Sequence, residues 1–184
     1  MVKFRRMLTS GVFLKSRQKE LLELLDTSGA ELFALLTRLT LREDIAEEMM
    51  QELFIKLESS KGLERAMNRQ AYARRAAINL AFDWRRTHQR AALRLRRIDR
   101  QVSNDESPLN QMIHSEELRE TLDALDQLKK TSREALVMRY IQQESYESIA
   151  EQMGKTSHQV RAMCSRAVQY LRRIIESNHR HNNI

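Results

Sequence analysis

Glycine and proline are nearly absent from this chain, which has four glycines and one proline in 184 positions. A sheet protein needs a tight turn every few residues, and tight turns lean on Gly, Pro, Asn and Asp. With so few breaks the backbone must run in long segments, and long segments mean helices. The residues that fill them agree: Leu, Ala, Glu, Gln, Arg and Met are abundant, and all are good helix formers. Aromatic residues make up 5%, so the core has to be built from Leu, Ile, Val, Met and Ala. The expected class is all-α.

Apolar residues then locate the helices. Leu21, Leu22, Leu24, Leu25, Leu32, Phe33, Leu35, Leu36 and Leu39 recur at helical spacing, with Ser28 and Gly29 as a candidate break into two helices. A helix from about Arg42 to Leu57 has Ile45, Ala46, Met49, Met50, Leu53, Phe54 and Leu57 on one side. Asp44, Glu47, Glu48, Gln51 and Glu58 lie on the other. Residues 59–68 are polar and read as a loop. The next helix starts near Gln70 and runs through Trp84 into the arginine-rich stretch 85–100. Gln101–Pro108 is small and polar, holds the only proline, and is the best linker candidate. Beyond it Leu118, Leu122, Leu125 and Leu128 share a face. Thr131 and Glu134 have the spacing of a capping box ahead of a helix from Ser132 to about Ile141.

Charge and cysteine content narrow the setting. The formal net charge is +7, which favours polyanionic partners because Lys and Arg displace counterions from phosphates. Charge alone does not choose between DNA, RNA and an acidic membrane surface. The single cysteine, Cys164, cannot form an internal disulfide; it sits on an apolar face and reads as core. No stretch is long or apolar enough to span a bilayer, and the basic first residues without a sustained apolar run lead us to expect no secretory signal. A cytoplasmic protein without membrane insertion is expected. No Gly-rich phosphate loop, His/Cys cluster or nucleophile motif is present, so neither an enzyme nor a cofactor or metal is expected.

The most informative segment is 143–175. Ser145 can cap a short helix, Tyr146 to Met153, with Ile149, Ala150 and Met153 inward. Gly154 follows, where the chain must turn and positive φ is often required. Thr156 or Ser157 can cap the next helix, whose apolar face is Val160, Cys164, Ala167, Val168 and Leu171. Its other face shows His158, Gln159, Arg161, Ala162, Ser165, Arg166 and Gln169. Two short helices joined by a glycine turn fit a helix-turn-helix, with the second helix in the major groove. Gln pairs with adenine and Arg with guanine, while Arg139, Arg172 and Arg173 are placed to hold phosphates.

On these residues the chain resembles the sigma-70 family. Arg139-Tyr140, the run Ser145-Tyr146-Glu147-Ser148-Ile149-Ala150-Glu151-Gln152-Met153-Gly154, Val160-Arg161 and Ser165-Arg166-Ala167 are similar to that family's fourth conserved region. Ile45-Ala46-Glu47-Glu48-Met49-Met50-Gln51-Glu52-Leu53-Phe54, with Ala71-Tyr72, Ala76-Ala77, Asn79-Leu80-Ala81 and Asp83-Trp84-Arg85-Arg86, resembles the second. The two stretches cover about 21–92 and 115–176, and their pairing implies the extracytoplasmic-function (ECF) group. The sequence departs from the pattern at Gln143-Glu144, where Gly-Leu is common. It departs again at Ile78, where Arg often precedes the Asn, and at Ala162-Met163, so base preference does not transfer.

The resemblance implies a division of labour. Residues 15–93 would form a helical domain that binds core RNA polymerase through Asp44, Glu47, Glu48 and Gln51. The same domain would engage the promoter −10 element through Arg75, Asn79 and Arg86, with loop residues 61–70 as the base pocket. Residues 94–114 would be a flexible linker and 178–184 a tail. Residues 115–177 would form the helix-turn-helix domain on the −35 element, through Arg139, His158, Gln159, Arg161, Ala162, Ser165 and Arg166. Promoter DNA, core polymerase and an anti-sigma factor are the implied partners. Read without the resemblance, the acidic helix face is a solvated surface, and Phe82 and Trp84 are core. The competing functions are a helix-turn-helix regulator that is not a polymerase subunit, and an RNA-binding or helical adaptor protein.

Overall fold

The computed structural model describes residues 16–98 and 112–182, with side chains for 18–91 and 117–178. Every regular element in those residues is helical: α1 (Ser16–Thr40), α2 (Glu43–Glu58), α3 (Lys61–Arg65), α4 (Arg69–Ile98), α5 (Met112–Asp126), α6 (Lys130–Leu136), α7 (Tyr146–Met153) and α8 (Ser157–Asn182). The fold is all-α among the described residues. The first 15 residues, whose Lys3, Arg5 and Arg6 read as a loose basic arm, the segment Gln101–Pro108 and the last residues of the tail lie outside what the structure describes.

The leucine run forms a single helix, not two. Ser28 is buried within α1. An internal glycine costs a helix about 1 kcal/mol relative to alanine, which is small beside the burial of Leu21, Leu24, Leu32, Leu35, Leu36 and Leu39 along the same helix. At its end Leu41 takes a left-handed φ of 60°, and the Thr40 hydroxyl donates to the Leu36 carbonyl at 2.9 Å. The chain thereby reverses into α2. Helices α1, α2 and α4 pack on one another, and the short α3 rests on α4. Residues 59–68 are therefore not wholly a loop: the Ser60 hydroxyl accepts from the Leu63 amide at 3.3 Å and starts the turn of helix at Lys61.

In the C-terminal half α8 is the spine, with α5, α6 and α7 against it. Leu122, Leu125 and Leu128 are buried as the shared face predicts, but Leu118 is 44% exposed. After α6 the backbone loosens into a π-helical turn, Val137–Ile141. Its bonds close one residue further back than in an α-helix, as in Gln142 N–H to the Val137 carbonyl at 3.1 Å. The expected capping box at Thr131 does not form. Helix α6 begins at Lys130, its cap residue Lys129 makes no side-chain bond, and Glu134 is fully buried. Glu134 is drawn instead to partners on α4, where α4 and α6 bring the two halves together.

Candidate nucleic-acid interface

The helix-turn-helix is built from local rules. Ser145 accepts from the Ser148 amide at 3.1 Å and starts α7. Gly154 ends it in the left-handed region, at φ 62° and ψ 41°. There the Lys155 amide donates to the Ala150 carbonyl at 2.9 Å and the Gly154 amide to the Glu151 carbonyl at 3.3 Å, the pairing of a Schellman turn. Thr156 and Gln159 then cap α8 reciprocally: the Thr156 amide donates to Gln159 Oε1 at 3.0 Å, and the Gln159 amide to Thr156 Oγ1 at 3.2 Å. Between α7 and α8 the wedge is apolar, with Ile149 and Val160 both wholly buried and Ala150, Cys164 and Ala167 nearly so. Cys164 is thus core, and burial pushes its thiol above the ordinary range, against the pull of Arg139.

That packing sets the opposite face of α8 outward. His158, Gln159, Arg161, Ser165 and Arg166 are exposed, and Ala162 is half-buried. The side-chain oxygen of Gln159 is already engaged in the cap. Arg166 Nε folds back onto the Ala162 carbonyl at 3.2 Å. Arg139, on the π-turn, donates to the Glu144 carbonyl at 2.8 Å, and its guanidinium lies 4.6 Å from the centre of the Tyr146 ring. Arg161 lies over the same ring at 5.0 Å. Tyr146 is therefore a shelf for two of the expected DNA contacts, and the sequence reading did not give it that role. Its one-dimensional signal is faint: an aromatic just after a capping serine, with arginines seven residues before and fifteen after.

On α2, Asp44, Glu47, Glu48 and Gln51 all stand exposed on the face opposite Ile45, Ala46, Met49 and Leu53. Asp44 pairs with the neighbouring Arg42 side chain, whose hydrogen bond holds its carboxyl below the usual range.

Arg75, Asn79 and Arg86 share a face of α4, and each meets the C-terminal half. Arg75 Nε donates to Glu134 at 3.2 Å, and Asn79 Nδ2 to the other oxygen of the same carboxylate at 2.7 Å. Arg86 Nη1 donates to Asp126 at 3.3 Å, and Asp126 also accepts from Arg133 at 2.7 Å. Burial raises the Asp126 carboxyl against the pull of Arg86 and Arg133, and burial lowers Arg133. Desolvation outweighs attraction at this pair. Arg133 lies over the Phe82 ring at 4.5 Å, and Arg85, which is buried, pairs with Asp123. Arg74 reaches Glu144 at 3.3 Å. Phe82 is core, as its apolar character predicts; Trp84 is half-buried and stacks on His88 at 4.6 Å. Near the expected base pocket the Tyr72 hydroxyl meets the Ser60 hydroxyl at 2.8 Å, and Met67 is fully exposed.

Two short helices joined by a left-handed glycine, the second with a polar, arginine-bearing outer face, define a helix-turn-helix DNA-binding module. The family model for sigma-70 region 4 matches residues 118–171, the segment that holds this module. No curated protein matches the chain significantly. Among solved structures, the sigma factor RpoE in complex with the anti-sigma factor NepR from Bartonella quintana is 22% identical. That match covers 89% of this chain and 98% of that one at a TM-score of 0.44. The RsbN–BldN complex matches at 18% identity, covering 84% and 90%, at a TM-score of 0.31. Similarity at that level is too low to carry function across. Among the described residues no helix is long and apolar enough to cross a membrane.

Proposed function

We propose that this chain is an ECF-type sigma factor. In this reading the N-terminal helices dock on core RNA polymerase and engage the −10 element, and the C-terminal module reads the −35 element. One observation carries the reading. In the segment that matches sigma-70 region 4, α8 buries Val160, Cys164 and Ala167 while Arg161, Ser165 and Arg166 face outward. Arg161 and Arg166 are the donors for base edges, and a lost bidentate base contact costs ~1–3 kcal/mol at one position of the site. Arg139, held by the Glu144 carbonyl, sits at the flank where a phosphate would fix register.

The exposed acidic face of α2, with Asp44, Glu47, Glu48 and Gln51, is the surface for polymerase. It has the sign and the exposure to meet a basic partner without disturbing the helix core. Arg75, Asn79 and Arg86 are the contacts for the melted −10 strand. An anti-sigma factor and a cytoplasmic location follow from the same reading.

Run-off transcription with purified core polymerase on fragmented genomic DNA is the test. The chain should direct discrete transcripts and bind duplex DNA weakly without polymerase. Reversing charge at Glu48 and placing Lys at Gln51 should abolish holoenzyme assembly while leaving the helical content unchanged. Tight palindrome binding by the chain alone, with no assembly on core polymerase, would instead identify a helix-turn-helix regulator.

A further inference from the structure

We infer that Tyr146 is a positioning residue for duplex recognition, whose ring holds Arg139 and Arg161 in place before DNA arrives. This rests on the assignment of α8 to the −35 duplex. Tyr146 is the first residue of α7 and packs half-buried against the core. Arg139 reaches its ring from the π-turn at 4.6 Å, and Arg161 from the second turn of α8 at 5.0 Å. Three elements separate in sequence thus converge on one aromatic side chain.

The two arginines differ from those of the helices around them. Arg74, Arg75, Arg85, Arg86 and Arg133 each face a carboxylate. Among the described residues neither Arg139 nor Arg161 forms an ion pair, so their charge is left for an outside anion. The ring attracts each cation through its quadrupole but supplies no lone pair. The N–H donors that a base edge or a phosphate takes therefore stay available. Arg139 spends one nitrogen on the Glu144 carbonyl at 2.8 Å. Glu144 is itself held along α7, where its carboxylate accepts from the Ser148 hydroxyl at 2.8 Å. Arg166 is the contrast: its Nε turns back onto the Ala162 carbonyl of its own helix at 3.2 Å.

Ordering a long side chain costs free energy at the moment of binding, and a side chain already held costs less. The test uses the full chain at low salt. The probe is the duplex that the unaltered chain enriches most from a fluorescein-labelled library of random-sequence duplexes. Tyr146→Leu keeps an apolar side chain against the core and removes the ring. It should bind the probe about tenfold more weakly, the ordering of two arginines taken together, with helical content unchanged. Its salt slope should fall toward that of Arg139→Ala, which loses about 0.9 for one phosphate contact. Tyr146→Phe keeps the ring and should bind as the unaltered chain does. Tyr146→Met is the second ring-less variant, should Leu fold poorly.

The decisive reading is a mutant cycle. In a chain carrying Arg139→Ala and Arg161→Ala, Tyr146→Leu should cost nothing further. A purely structural role would cost the same with or without the arginines, and that result would overturn the proposal. So would a Phe variant as weak as the Leu variant. Ring currents give a check without DNA: side-chain protons of Arg139 and Arg161 should resonate upfield in the free chain and return to ordinary positions in Tyr146→Leu. Ordinary positions in the unaltered chain would also overturn the proposal. A library from which the unaltered chain enriches no duplex would instead sink the assignment of α8 to DNA, without touching the ring-current result.

Discussion

Two residues flanking α7 have the same backbone conformation and opposite chemistry, so they make a paired test. Gly154 sits at φ 62° and Gln143 at φ 58°. A Cβ built on Gly154 would meet nothing within 4 Å, so Gly154→Ala carries no packing penalty. Its whole cost is the left-handed backbone, about 1–2 kcal/mol for an L-residue. The lower entropy of the unfolded alanine chain offsets about 0.4–1 kcal/mol of that. The net loss should be about 0.5–1 kcal/mol. Gly154→Asn should lose less, because asparagine tolerates this region.

Gln143 already bears the strain, and its side chain is exposed. Gln143→Gly should therefore gain about 0.5–1 kcal/mol by the same arithmetic reversed. The assay is urea and thermal unfolding followed by circular dichroism. The size of the thermal shift adds a second reading. It is about 2–4 °C per kcal/mol if all 184 residues unfold together, and about 4–8 °C if the C-terminal module melts alone. The reasoning fails if Gly154→Ala costs more than about 3 kcal/mol, which demands a clash. It also fails if Gln143→Gly destabilises.

Three further outcomes follow from named contacts. Ile149→Ala empties a fully buried site between α7 and α8 and should cost about 2–5 kcal/mol in denaturant unfolding, with loss of duplex binding in step. Cys164 should resist a thiol-disulfide reagent in the native chain and react at once in denaturant, since it is 1% exposed and burial holds its thiol above its ordinary value. Because the unfolded thiol ionises first, native stability should decline as pH rises past that value, and Cys164→Ala should flatten the decline. Gly62→Ala would put a Cβ 2.5 Å from the Tyr72 hydroxyl oxygen, break its contact with Ser60, and cost about 1–3 kcal/mol. Tyr72→Phe in the same chain should recover part of that loss in a double-mutant cycle, and strict additivity would argue against the clash.

What could be read in advance followed the range of the interactions. Helix α7 was readable to the residue because Ser145 and Gly154 act on backbone groups a few positions away. The outward face of α8 was readable because period 3.6 places Val160, Cys164 and Ala167 together. The predicted break at Ser28-Gly29 failed because a local propensity of about 1 kcal/mol meets a whole stripe of buried leucines. Thr131 and Glu134 have the spacing of a cap, yet Glu134 answers to Arg75, 59 positions away. No local pattern carries such a pairing, and so the occupation of the −10 candidates by Asp126 and Glu134 was invisible in one dimension. The Gln143 position gained a meaning from the backbone: its φ of 58° is one that glycine adopts without steric cost.

The ring of Tyr146 has a consequence for anyone who would retarget this protein. Arg139 and Arg161 lean on one aromatic surface from two different elements, so the group proposed for a phosphate and the group proposed for a base edge are mechanically yoked. Replacing either arginine frees part of the ring and lets the other settle elsewhere. Changes of promoter preference at Arg161 should therefore arrive together with changes in docking register, and recoding is better attempted on the trio than on one side chain.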